Sequence, residues 1–166
     1  MLNDFAVFIL THGRAGNITT YNTLYRQGYT GKIYIIVDNE DKSASEYKKR
    51  FGDKVIVFDK LAVSKIFDVG DNFTDTRTVV YARNACFDIA KQLGIKYFMQ
   101  LDDDYSSFVY KYDEALCYKE RPIYNLDSVL GALLKFYKQS NATTIAMAQN
   151  GDFIGGKKRG WATQGR

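Results

Sequence analysis

Apolar and polar residues alternate along this chain in blocks of two kinds, and the blocks alternate with each other. Phe5-Ala6-Val7-Phe8-Ile9-Leu10 is a short continuous apolar run, the pattern of a strand buried on both faces. Thr11-His12-Gly13-Arg14 comes next as a loop, and a helix starting at Asn17 or Thr19 would place Tyr21, Leu24 and Tyr25 on one side before Gly28 stops it. Lys32 to Val37 predicts a second strand that ends at Asp38-Asn39. Ser43-Ala44-Ser45-Glu46 has capping-box spacing for a second helix ending at Gly52, and Val55 to Phe58 predicts a third strand.

Residues 68–78 show no periodicity and predict a loop, after which Thr78 can cap a helix with Ala82, Ala85, Cys86, Ile89, Ala90 and Leu93 along its apolar stripe. Gly94 closes that helix, and Tyr97 to Leu101 predicts a central strand running straight into Asp102-Asp103-Asp104. Phe108 to Lys119 reads ambiguously as a strand and a short connection. Pro122 interrupts the chain after it, Leu126 to Tyr137 predicts another core-facing helix, and Thr143 to Ala148 predicts a last strand. The order is that of an α/β domain with a mostly parallel sheet.

Composition supports one such domain over residues 1–166: the chain is 46% hydrophobic and 25% charged, with one proline and no Pro/Gly/Ser-rich linker. No apolar stretch approaches the roughly 20 residues that cross a bilayer, and no signal peptide is evident, so the expected location is cytoplasmic. Cys86 and Cys117 have neither metal-ligand spacing nor the pattern of a disulfide framework. With His12 the only histidine, a metal site would have to be built from carboxylates, which favours Mg2+ or Mn2+ over zinc.

Ligands of open α/β sheets bind beyond the carboxyl ends of the strands, where the three aspartates fall. An extended chain sends Asp102 and Asp104 to one side and Asp103 to the other. Adjacent carboxylates repel, and a hard cation that also holds a diphosphate would compensate; otherwise they form a solvated acidic turn. Gly13 would let backbone approach a ligand, and Arg14 would pair with phosphate or stack on a base. Asp38 is either a contact to a base or ribose or an ordinary cap. Arg83, beside Asn84, either meets a diphosphate or faces solvent, and Arg77 is a weaker phosphate candidate. His12 has no clear carboxylate orienter in sequence. Lys157-Lys158-Arg159 is either a solvated loop or a phosphate contact.

Together, Thr11-His12-Gly13-Arg14, Val37-Asp38-Asn39, Ala82-Arg83-Asn84 and Leu101-Asp102-Asp103-Asp104 resemble the GT-A class of glycosyltransferases, a Rossmann-type three-layer sandwich. Tyr97 to Ser106 is similar, more narrowly, to the TET-associated glycosyltransferase group of phages and bacteria, thought to decorate hydroxymethylated pyrimidines in DNA.

The resemblance implies a UDP-sugar donor and a divalent cation, with Asp104 as the leading metal ligand and Asp102 as a second metal candidate or a contact to ribose or metal-bound water. It places Asp103 towards the sugar or in support of the site, Arg14 and Asp38 with Thr11 around the nucleoside, and Arg83 near ribose or diphosphate. GT-A enzymes normally continue into an acceptor-binding half, so that half is expected to be abbreviated or truncated here. Asp152 is the late acidic residue available as a catalytic base or as a shaper of its Gly-rich turn, and Trp161 is a sugar or base platform or simple packing. Nucleotidyl transfer, and noncatalytic binding of a sugar nucleotide or nucleic acid, are the competing functions.

Overall fold

The computed structural model describes residues 4–66 and 79–148. Four strands form a parallel sheet in the order β3-β2-β1-β4: β1 (Phe5–Leu10), β2 (Lys32–Asp38), β3 (Val55–Phe58) and β4 (Tyr97–Asp102). The register aligns Leu10 with Asp102 and with Ile36, so the carboxyl ends of β1, β2 and β4 open onto one edge. Every residue of β1 is buried, as its apolar run requires. Burying a side chain such as Phe8 or Ile9 contributes about 1.5–3 kcal/mol relative to exposure.

Helices cover both faces, giving a three-layer α/β sandwich of the GT-A, Rossmann-like kind. On one face, α1 (Thr19–Arg26), α2 (Ala44–Phe51) and α5 (Leu126–Gln139) supply Leu24, Tyr47, Leu126 and Leu130 to a cluster with Val7, Ile9, Ile35 and Val37. On the other, α4 (Val80–Gln92) lays Tyr81, Ala85, Cys86, Ile89 and Ala90 against Ala6, Phe8, Leu10 and Ile36. The alternate residues of each strand divide between the two clusters, as the two-residue period dictates. A short helix, α3 (Lys60–Ser64), begins where the Asp59 carboxylate accepts the Ala62 amide.

Several local expectations are corrected. β4 lies at the edge of the described sheet rather than at its centre, and most of its residues are half-buried because no described strand covers its outer side. Residues 143–148 form no strand; they are irregular and mostly exposed, and pair with no strand among the described residues. α1 begins at Thr19, one of its two expected starts, but no side chain caps it: Ile18 holds the cap position, and the Thr20 amide donates to the Asp103 carbonyl at 3.1 Å. Ser43 precedes α2, but no capping box forms, because Asp41 takes over the turn by accepting the Ser43 amide at 2.7 Å.

The α1 terminus matches its sequence signal closely. Gly28 has φ +82°, its amide donates to the Tyr25 carbonyl, and the Tyr29 amide reaches back to Leu24, the paired bonds of a Schellman motif. Thr78, expected to cap α4, lies outside the described residues. The ambiguous stretch after the aspartates resolves into an antiparallel hairpin, β5 (Val109–Tyr112) with β6 (Tyr118–Pro122). Pro122 ends the hairpin strand, where its missing amide costs no central ladder bond. No helix among the described residues is long and apolar enough to cross a membrane.

Candidate active site

The carboxyl edge of the sheet holds a cavity of about 450 Å³ between the loop after β1 and the turn after β4. Gly13, Arg14, Gly16, Asn17 and Thr19 line it on one side, Asp103 and Asp104 on the other. Gly13 adopts φ +70° with open space where a Cβ would stand, which lets the loop turn sharply after the strand. The loop is pinned from outside: the Gly13 amide donates to Asp41 Oδ2 at 2.7 Å, and Arg50 donates to the carbonyls of Ala15 and Gly16 at 2.9 and 2.5 Å.

The three aspartates do not obey strand alternation. The strand ends at Asp102 and the chain turns, because Thr20 on α1 holds it there: its hydroxyl donates to the Asp102 carbonyl at 2.6 Å and accepts the Tyr105 amide at 2.8 Å. Asp103 and Asp104 therefore share the cavity, while Asp102 faces α4 and is not part of the lining. Its Oδ1 accepts from Arg83 Nη2 at 3.0 Å, with both side chains about two-fifths exposed.

Asp103 is the buried member. Thr11 donates its hydroxyl to Oδ2 at 2.6 Å, and Arg14 donates Nη1 to Oδ1 at 2.8 Å. Asp104 is exposed and makes no hydrogen bond or ion pair among the described residues.

At the end of β2, Asp38 is already engaged. Its Oδ2 lies 2.7 Å from His12 Nδ1, its Oδ1 accepts the Glu40 amide at 3.1 Å, and the buried Lys60 ammonium stands 3.8 Å away. The histidine without an orienter in sequence thus has one in space, 26 residues along the chain. Asn84 turns back onto its own helix at the Val80 carbonyl, and Gln100 fixes the Arg83 carbonyl at 2.8 Å. Arg77, Asp152, the 157–159 basic run and Trp161 lie outside the described residues.

Sequence reasoning missed Tyr47, Thr20, Asp41 and Lys60. Tyr47 had a signal: it is the one uncharged residue in the run Glu46-Tyr47-Lys48-Lys49-Arg50. Thr20, Lys60 and the bond from Asp41 to the Gly13 amide carry none in one dimension, because those partners are distant in sequence.

No group of three or more His, Cys, Asp or Glu side chains among the described residues is arranged to hold a metal ion. A cage made wholly of protein ligands does not fit. A hard cation that takes one or two carboxylates and completes its shell with water and phosphate oxygens does fit, with Asp104 as the free carboxylate in the cavity.

The model of the family described as TET-associated glycosyltransferase matches residues 5–166. The chain belongs to that family. It is a glycosyltransferase, and glycosyl transfer linked to DNA modification is the activity that this membership carries. The match spans both sides of the cavity, the loop after β1 and the turn after β4, and family and geometry meet on the same strand ends. No curated protein and no solved structure matches this TET-associated glycosyltransferase.

Proposed function

We propose that this single-domain glycosyltransferase moves a sugar from a UDP-sugar to the hydroxyl of a hydroxymethylated pyrimidine in DNA, with Mn2+ or Mg2+ bound beside the donor diphosphate. The observation that carries the reading is the free Asp104 carboxylate opening into the same cavity as Arg14 and the glycine-bearing loop. The cation, when bound, supplies Lewis-acid stabilisation of charge on the departing nucleoside diphosphate.

The chain's own residues do the rest. Asp104 holds the cation from the protein side, and Arg14, with more than half of its side chain exposed, reaches diphosphate oxygens without leaving the cavity wall. Asp103 orients Arg14 rather than meeting solvent, and Thr11 fixes Asp103 in turn. Asp38, paired with His12, would meet the nucleoside, and Arg83, paired with Asp102, the ribose or diphosphate, from outside the cavity lining itself. Asp152 is the proposed base that takes the acceptor's proton as its oxygen attacks the anomeric carbon.

A screen of sugar nucleotides with Mn2+ and hydroxymethylated DNA, read by mass spectrometry of the released nucleosides, tests this directly. Sugar-bearing pyrimidine from one donor is the expected outcome. Donor turnover that is independent of DNA across the whole panel would sink the acceptor assignment.

A further inference from the structure

A buried tyrosine stands behind the cavity wall. Tyr47 is wholly buried: its ring joins the core beneath the loop after β1, and its hydroxyl emerges at the loop itself. There it accepts the Arg14 amide at 2.7 Å and lies 3.0 Å from Thr11 Oγ1. Counting protons sets the direction of the second bond. Thr11 has a single hydroxyl hydrogen and gives it to Asp103 Oδ2, so Tyr47 must donate to Thr11.

The bonds then close into a ring. The Arg14 amide donates to Tyr47, Tyr47 to Thr11, and Thr11 to Asp103, whose other oxygen takes the Arg14 guanidinium. Burial pushes the Tyr47 phenol above its ordinary pKa, outweighing the bonds to Thr11 and Arg14 that pull it down, so the phenol keeps the proton that the ring requires. A phenylalanine would fill the same core volume, which leaves the hydroxyl to be explained by what it touches.

We propose that Tyr47 is a positioning residue of the donor site: through Arg14 and Thr11 its hydroxyl sets the loop backbone and the direction of Asp103, so that Arg14 and Asp104 face one nucleoside diphosphate together. This rests on the cavity being the donor site.

Tyr29 is the natural control, because it is equally buried and donates its hydroxyl to the Lys32 carbonyl at 3.0 Å, at the start of β2 and away from the cavity. The experiment compares wild type, Tyr47→Phe, Thr11→Val, the double variant and Tyr29→Phe, all in the full chain. Binding of UDP with Mn2+ is measured by calorimetry, and amide hydrogen exchange at Arg14 by NMR.

Loss of one ordered hydrogen bond predicts about a tenfold weaker Kd for Tyr47→Phe. Arg14 exchange should accelerate by a similar factor, about tenfold. Residues acting as one ring are not additive, so the double variant should bind within about twofold of the weaker single. Tyr29→Phe should lower Tm while leaving Kd and Arg14 exchange near wild type. Unchanged Arg14 exchange in Tyr47→Phe, or faster exchange with unchanged Kd, overturns the proposal. Failure of wild type to bind UDP would instead remove the donor-site reading, and Arg14 exchange would still decide whether Tyr47 holds the loop.

Discussion

The cavity has two unlike sides. Towards β1 and α2, both oxygens of Asp103 are taken, by Thr11 and Arg14, and Tyr47 ties those two residues to each other. One residue further along the chain, Asp104 is exposed and unpartnered among the described residues. The difference separates two tasks between adjacent and chemically identical side chains. The closed side fixes shape, because its polar groups are satisfied internally. The open side is the one we propose for the ligand, because nothing within the described protein neutralises it.

Substitutions should therefore split function from stability. The largest functional effect is expected for Asp104→Asn: kcat/KM for sugar transfer should fall by about 100-fold or more, the range seen when one preorganised stabilising group is removed from a site. Its unfolding free energy should stay within about 0.5 kcal/mol of wild type in urea, as for other exposed positions. A matching loss of stability would show that Asp104 also holds the fold.

Asp103→Ala should show the reverse weighting. It strips Thr11 and Arg14 of their shared acceptor and should cost about 1–3 kcal/mol. The lower half of that range is expected, because water screens the half-exposed Arg14. Urea midpoints measure this, and transfer should also weaken as Arg14 loses its orientation.

Asp102→Asn should do less on both counts. Its pair with Arg83 is partly solvated and worth at most about 1 kcal/mol, and its carboxylate stands outside the cavity lining.

Burial pushes the Cys86 thiol up to about 12, so near neutral pH it should resist alkylation while exposed Cys117 reacts. Retained protection of Cys86 in Asp104→Asn would show that lost activity is not lost fold, and labelling of both cysteines at one rate would show the opposite.

The parts of this molecule that were legible in sequence are those governed by neighbours in the chain. The apolar runs 5–10, 32–37 and 55–58 became strands, and Gly28 ended α1 by the left-handed geometry that glycine permits. The strand-end position of the aspartates was also legible, because it needs only the run before them.

Features set by contacts across the sheet were not legible. Thr20 turns the chain at Asp103 from another helix, which regroups Asp103 with Asp104 where alternation pairs Asp102 with Asp104. Asp38 orients His12 through a bond between residues 26 apart, which no local pattern encodes. Residues 143–148 carry strand-like composition, yet composition does not provide the partner strand that a ladder needs.

Asp104, not Asp102, is the carboxylate proposed to meet the cation and the donor diphosphate. Titrating UDP into wild type, Asp104→Asn and Asp102→Asn, each with and without Mn2+, tests it most directly. Mn2+ should tighten UDP binding by about tenfold or more in wild type and in Asp102→Asn, and Asp104→Asn should lose this gain. Full retention of the Mn2+ effect in Asp104→Asn, with its loss in Asp102→Asn, would contradict it.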